Sequence, residues 1–322
     1  MRALVLRRLL HVIPLLLGIS ALTFLLLHLA PGDPFAAMAE NPQISAETLA
    51  RMRHDFGLDR PAWVQYLLYL RNIALRGDFG QSFAYHQPVA RVLFARLGNT
   101  LLLAGAAALV TWGLAIPLGV LAAVRTRTWV DRTLSLVAFA GLSVPEVISG
   151  LALLYLAART GWFPIGGMHS LDAGELGAWG RFVDLLRHLV LPALVVGIVP
   201  LASRMRQMRA GMLDVLSLDY VTTARAKGLP ESAVIGRHAL RTALNPMITL
   251  FGLTLGSLLS GSFIAEFIFN WPGLGTITLE AIQRQDQYVV LGAVLLAATV
   301  LVAGNLVADL LLVVADPRIT HD

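Results

Sequence analysis

The chain has 322 residues, 57% of them hydrophobic and only 14% Asp, Glu, Lys or Arg, against about 45–50% and 25% in an ordinary soluble domain. So few charges cannot wet one outer surface around so much apolar matter, which excludes an ordinary cytosolic enzyme and a disordered chain and leaves a polytopic membrane protein. The net charge of +5 comes almost wholly from Arg, and the absence of Cys excludes disulfides, iron–sulfur clusters and thiol nucleophiles.

In a membrane chain a basic excess belongs to cytoplasmic loops, and no basic–aromatic motif for nucleic acid is present. The only lysine, Lys227, is preceded by Ala226 and followed by Gly228. A phosphate-binding loop needs Gly-Lys-Ser/Thr, so this chain does not hydrolyse ATP by that route.

In chain order, the start Met1-Arg2-Ala3-Leu4-Val5-Leu6-Arg7-Arg8 leads into an apolar run over residues 9–29. That run is longer than the ~7–15 residues of a signal-peptide core, and Pro31 directly after Ala30 makes a poor cleavage site. The expectation is a retained first transmembrane helix. Five further stretches, 99–124, 133–158, 189–204, 246–269 and 288–315, are read as crossing a ~30 Å hydrocarbon core. Pro14, Pro117, Pro145 and Pro192 lie inside or near these runs, where neighbouring helices can satisfy the freed carbonyls. Pro192, Pro200 and Arg204 crowd the fourth. The fold class expected is all-α integral membrane: six transmembrane helices forming one domain over residues 1–322.

Orientation follows the Arg of short loops. Arg2, Arg7 and Arg8 precede the first run, and Arg125, Arg127 and Arg132 outweigh Asp131 in the second-to-third turn. Arg204, Arg206, Arg209, Arg225, Lys227, Arg237 and Arg241 crowd the fourth-to-fifth connection. On the other side Arg159, Arg181 and Arg187 are balanced by Asp172, Glu175 and Asp184, and Arg284 by Glu280 and Asp286. Both termini are therefore expected in the cytoplasm.

The long first outer loop, 30–98, has helical patterning of its own; the resemblance described below would make it periplasmic. Ser45 is positioned to cap a helix with Leu49, Met52 and Phe56 on one face and a stop at Gly57. Asp59 is read as the cap of a second, with Pro61 at its first position, Tyr66, Leu67, Leu70 and Ile73 as an apolar stripe, and Gly77 at its end. Such a loop can dock an external partner, cover the pore, or rest two amphipathic helices on the outer leaflet.

The cytoplasmic connection, 205–245, far exceeds the ~2–8 residues a helical hairpin needs. Asp219 is read as the cap of a short helix, Tyr220-Val221-Thr222-Thr223-Ala224-Arg225-Ala226-Lys227. Arg225 and Lys227 suit its negative C-terminal end, and Gly228 supplies a left-handed stop. Pro230 and Glu231 then start a second helix running towards Arg241. Helix, glycine corner, helix makes a compact knob, and Ala224 and Ala226 allow close approach by another protein.

This stretch, with Leu229 after the corner and Arg237-His238-Ala239-Leu240-Arg241 further on, resembles the EAA loop of bacterial ABC importer permeases, in the dipeptide/oligopeptide/nickel class. Ala224 and Gly228 are retained from the EAA-x-x-x-G pattern, while Thr222 and Thr223 replace Glu and Ala, and Arg241 replaces the Pro of a Leu-Pro pair. These departures are usual in the peptide/nickel class. Further matches are Pro31-Gly32-Asp33-Pro34, Gly77-Asp78-Phe79-Gly80-Gln81-Ser82-Phe83, Trp271-Pro272-Gly273-Leu274-Gly275 and Asp316-Pro317-Arg318.

The resemblance implies a non-enzymatic permease subunit in the bacterial cytoplasmic (inner) membrane, working by alternating access. Its partners would be a second homologous permease, two cytosolic ABC ATPase subunits that bind ATP and Mg, and an extracytoplasmic solute-binding protein. No cofactor is expected in this chain. Asp219, Tyr220, Thr223, Ala224, Arg225, Ala226, Lys227 and Gly228 would couple to the ATPase. The cargo would be di- or oligopeptides or a related small solute, with nickel or glutathione as alternatives.

Outside the resemblance, Glu146 sits midway along the third run, where an ionisable group marks a pathway by default. It suits a substrate amine, a water path, or a protonated hydrogen-bonded role. Asp309, with Asn305 one turn before it, is read as bridging helices or facing the partner permease, and Glu266 as interfacial or paired. Trp63, Trp162, Trp179 and Trp271 are expected in an interfacial belt. The eight His show no metal-ligand spacing. A gradient-driven secondary transporter would instead show discontinuous helices or an inverted repeat, and no clear repeat is present. A non-transporting scaffold would leave the knob unexplained.

Overall fold

The computed structural model describes residues 2–30, 45–55, 57 and 59–315. Phe56 and the motifs Pro31-Gly32-Asp33-Pro34 and Asp316-Pro317-Arg318 lie outside them, as does the side chain of Asp309. The described residues are helical almost throughout. First come α1 (Arg2–Leu29), α2 (Ala46–Asp55), α3 (Ala62–Arg76) and α4 (Val89–Val124). Then follow α5 (Trp129–Ser143), α6 (Glu146–Thr160) and α7 (Ala178–Leu216). The connection over 205–245 holds α8 (Asp219–Ala226), α9 (Glu231–Ala233), a π-helical stretch (Val234–Ala239) and α10 (Leu240–Ala243). Last come α11 (Asn245–Ile268), α12 (Leu274–Gln283) and α13 (Gln287–Ala315).

By length and composition, four described segments can cross a membrane: His11–Leu29, Val89–Val124, Ala178–Leu216 and Gln287–Val307. α11 covers most of the fifth predicted run with 24 helical residues. The third run, expected over 133–158, is not one helix. It breaks between α5 and α6, whose axes turn by 105°. Val144 before the proline is extended, with φ −91° and ψ 122°, as the clash with a proline ring favours. Pro117, Pro192 and Pro200, by contrast, sit inside unbroken α4 and α7.

The chain forms two compact units. One comprises residues 99–272 and 301–322. In it α5, α6 and α11 pack on α7, with Ala107, Leu191, Val195, Leu258 and Phe269 in one shared buried cluster. Small residues bring backbones together, as expected where lipid supplies no hydrophobic drive between helices. A Cβ on Gly119 would sit 2.7 Å from the Met205 carbonyl oxygen, and one on Gly197 3.2 Å from that of Ala107.

The other unit comprises residues 1–98 and 273–300. α3 leans on α1 through the Tyr66 hydroxyl, 2.9 Å from Ser20 Oγ and donating to the Leu17 carbonyl at 3.1 Å. Val89 and Leu93, at the start of α4, pack with Leu274, Ile277 and Ala281 of α12 and with Val289 and Val290 of α13. Ser45 Oγ accepts the Thr48 N–H at 3.2 Å, as a cap should. Asp59 does not cap α3: Pro61 holds that position, and Asp59 pairs with His54 Nδ1 at 2.8 Å. That hydrogen bond holds the Asp59 carboxyl below the ordinary aspartate value. Gly77 closes α3 in the left-handed region at φ 62°.

The glycine contacts separate two kinds of position. Gly119→Ala should lower stability by about 1–3 kcal/mol, since it forces α4 off α7. Gly105→Ala, with nothing within 4 Å of the added methyl, should be neutral. Thermal unfolding of the purified protein in one detergent distinguishes the two.

Candidate functional site

The knob is built on the end of α7. Leu218 turns the chain in an extended conformation and takes the N-cap position, so Asp219 is the first helical residue of α8 rather than its cap. The Thr223 hydroxyl donates to the Asp219 carbonyl at 2.8 Å. Val221 and Ala224, three positions apart and therefore on one face, are buried with Met208, Met212 and Val215 of α7, Val234 and Ala239 of the π-helical stretch, and Ala243 of α10. Asp219, Tyr220, Thr223, Arg225, Ala226, Lys227 and Gly228 are all exposed. Leu218, Tyr220 and Leu229 add large apolar side chains to that outer surface.

Gly228 stands at φ 76°, donating its N–H to the Arg225 carbonyl at 2.9 Å. A Cβ there would meet nothing within 4 Å. The demand for glycine is thus conformational and not one of space. Arg225 is tied across the corner to Glu231, by Nη2 to Oε1 at 2.7 Å and Nε to Oε2 at 3.2 Å. This forked bond lowers the Glu231 carboxyl from its ordinary value and raises the Arg225 guanidinium. Arg225 therefore braces the corner, and Lys227 is the basic side chain it leaves unbraced. The Tyr220 hydroxyl donates to Thr242 Oγ1 at 3.0 Å, joining α8 to the end of the loop. The single second helix expected from Glu231 towards Arg241 contains a π-helical turn instead.

Glu146 occupies the first turn of α6, directly after the break that interrupts the third run. Its Oε1 is buried and has no hydrogen-bond partner among the described residues.

Two other buried carboxylates of this unit are hydrogen-bonded. Asp131 takes Arg209 Nε at 2.6 Å, Arg209 Nη2 at 2.8 Å and the Arg127 N–H at 3.0 Å. Glu266, wholly buried, accepts from Thr100 Oγ1 at 2.7 Å. Trp271 is buried too, with Nε1 donating to the Asn99 carbonyl at 2.9 Å, and so is a core residue. Trp63, Trp162 and Trp179 remain exposed.

In the other unit Asp286 is wholly buried and accepts from Ser82 Oγ at 2.5 Å, the Ala84 N–H at 2.9 Å and the Val289 N–H at 3.3 Å. Tyr85 donates to Glu280, and burial together with that bond pushes its hydroxyl up to about 12. Sequence reasoning had set Glu280 and Asp286 only against Arg284. An Asp three residues before the first buried apolar position of α13 is a capping signal that could have singled out Asp286.

Comparison with known families now decides the class. Residues 115–321 match the family described as binding-protein-dependent transport system inner membrane component, and residues 1–104 match its N-terminal companion family. The chain belongs to this permease family. The permease is 41% identical to the oligopeptide transport system permease protein AppB of Bacillus subtilis (strain 168), over 100% of both chains. It is 41% identical to the dipeptide transport system permease protein DppB of Escherichia coli (strain K12), over 98% of each. Its identity to the di/tripeptide transport system permease protein DppB of Pseudomonas aeruginosa (strain UCBPP-PA14) is 40%, again over 98% of each. Among solved structures, the methionine ABC transporter MetNI in an inward-facing conformation shares the fold, at a TM-score of 0.57 and 16% identity. That match covers 70% of this chain and 97% of the other. The protein is a multi-pass membrane permease with an ABC-transporter fold.

The corner geometry makes a local prediction. Gly228→Ala should cost about 1–2 kcal/mol of left-handed strain, loosening α8 but not α4 or α7. Amide hydrogen exchange in α8 should rise about fivefold or more, while exchange in the two long helices stays unchanged.

Proposed function

We propose that this permease forms half of the translocation pathway of an ATP-driven importer of di- or oligopeptides, beside a second, homologous permease. Two cytosolic ATPases bind ATP and Mg and drive it, and an external solute-binding protein delivers the cargo. In this reading the six runs 9–29, 99–124, 133–158, 189–204, 246–269 and 288–315 cross the inner membrane, the third through a bent pair. Both termini and the 205–245 connection are cytoplasmic, and the 30–98 loop is periplasmic. Identity of 40–41% along nearly the whole chain to permeases named for oligopeptides, dipeptides and di/tripeptides supports the cargo class.

The observation that carries the coupling role is the two-sided nature of α8. One face is locked into the end of α7 by Val221 and Ala224, while Tyr220 on the other, with Lys227 and Leu229 just beyond the helix, stays exposed. Exposed aromatic and apolar side chains ringed by charge suit an interface with another protein. α7 has 39 residues and is about 58 Å long at 1.5 Å per residue, so a push on the knob acts on a rod that outreaches the bilayer core. ATP binding that draws two such knobs together then biases the pore between two states.

The 105° break is one feature expected of a gradient-driven transporter, but family membership and the knob favour the ATP-driven reading. At that break, Glu146 serves the cargo path, where a carboxylate suits a peptide ammonium.

Two measurements on the assembled importer test this. Lys227→Glu and Gly228→Glu should insert normally and keep ATP hydrolysis, while uptake falls about tenfold or more, the loss expected when an interface charge is reversed. Normal uptake by well-expressed forms of both would sink the docking role. Glu146→Gln should slow uptake of peptides with a free N-terminus but not of N-acetylated ones. Unchanged uptake of both would remove Glu146 from the path.

A further inference from the structure

The unit of residues 1–98 and 273–300 holds a polar cavity of about 320 Å³ between α3, the loop that follows it and the start of α13. Arg60, Tyr69, Asn72, Asp78, Gln81 and Tyr288 line it. Tyr69 is only 4% exposed, yet its hydroxyl has no hydrogen-bond partner among the described residues. Leaving a buried hydroxyl unpaired is unfavourable, so the site is short of one polar partner. Two charged groups, Arg60 and Asp78, stand exposed at its rim, with Asp59 near enough to Arg60 to feel its charge. No described residue forms an ion pair with the Arg60 guanidinium, and one oxygen of Asp78 accepts the Gly80 N–H at 2.9 Å while the other has no described partner.

The walls are held in place without a ligand. Tyr69 stacks on Tyr288 with ring centroids 5.9 Å apart. Gly80, at φ 88°, lets the backbone approach the Tyr288 ring, where a Cβ would come within 3.2 Å. Asp286 fixes the next residues of the loop through Ser82 and the Ala84 N–H.

We propose that this cavity is a second cargo site, separate from the membrane path, which binds a small zwitterion of dipeptide size by its free carboxylate and ammonium. Arg60 takes the carboxylate, Asp78 takes the ammonium, and the Tyr69 hydroxyl with the amides of Asn72 and Gln81 meets the peptide group. The volume lies at the small end of the ~300–1,000 Å³ of ligand pockets, which suits a dipeptide and not a long peptide. Having one carboxylate and one guanidinium favours a ligand of both signs over a simple anion or cation. The identity of the zwitterion as a peptide rests on the peptide-importer reading above.

The test uses the whole importer in lipid nanodiscs without its binding protein, titrated with alanyl-alanine by calorimetry and by saturation-transfer NMR. Alanyl-alanine should bind, and N-acetyl-alanyl-alanine amide, which lacks both charges, should not. Arg60→Gln and Asp78→Asn should each weaken binding about tenfold or more, the loss expected for one charge-assisted hydrogen bond. Tyr69→Phe, which removes only the hydroxyl, should weaken it about threefold to tenfold. Unfolding temperatures within a few degrees of the parent establish that all three fold.

No binding to the parent, or binding indifferent to all three substitutions, overturns the proposal. So does the finding that the substitutions spare alanyl-alanine but weaken capture of the binding protein, which would make the cavity a socket for a protein segment. Uptake of labelled alanyl-alanine by the complete system, binding protein included, is measured in parallel. Uptake without cavity binding removes the second site and leaves the peptide importer standing, whereas absent uptake of every peptide removes the importer reading itself.

Discussion

A backbone amide released at a turn and buried away from water must find another acceptor, because leaving it unpaired costs about as much as a lost hydrogen bond. This chain meets the requirement with carboxylates buried at the ends of its helices. Asp131 takes the Arg127 amide at the α4–α5 turn and a forked bond from Arg209 of α7. Asp184 takes the amide and hydroxyl of Ser170 ahead of α7. Asp286 takes Ser82, the Ala84 amide and the first turn of α13. Each is an expensive group to bury alone and a strong organiser when fully bonded. Against this background Glu146 differs in kind: it too stands at a helix start, but one of its buried oxygens has no described partner. It stands at a break without the donors that its counterparts recruit.

The knob divides its labour by face. Val221 and Ala224 carry no chemistry, yet they make α8 continuous with the core at the end of α7. The outward residues can therefore change partner without moving their base. Arg225 belongs to the bracing side of this division, since its fork to Glu231 spans the glycine corner. Such an exposed pair adds little to stability, but it fixes the direction in which Lys227 and Leu229 project. Glycine at the corner and arginine across it are two parts of one device for holding a surface rigid.

Much of this was legible from residue order alone. Apolar runs located the long helices, Gly77 and Gly228 marked left-handed ends that do take positive φ, and the EAA-like stretch located the knob. What escaped was set by contacts distant in sequence. Pro117, Pro145, Pro192 and Pro200 look alike in sequence, but of these four only Pro145 stands at a helix break. Charges tallied for membrane sidedness turned out to be bonded to each other, Asp131 to Arg209 across 78 positions. Ser82 and Asp286 meet across 204. Trp271 reads as an interfacial aromatic until the Asn99 carbonyl that receives its N–H is known. The π-helical turn after Ala233 has no signature beyond a plausible helix.

These pieces define where the membrane part can yield. α4 and α7 touch backbone to backbone at Gly119 and Gly197, contacts that admit sliding only with repacking. α6 meets α11 through a side chain, since a Cβ on Gly150 would lie 2.8 Å from the δ-methyl of Ile268. α5 is fastened at its start, where Asp131 grips Arg209. Between α5 and α6 only Val144 and Pro145 intervene, and Pro145 has no amide with which to continue the hydrogen-bond ladder. α5, α6 and α11 all pack on α7, so a displacement entering through the knob reaches each of them through α7. At Val144 and Pro145 the helical ladder is interrupted and the axis turns by 105°, beside the buried Glu146 oxygen that has no described partner.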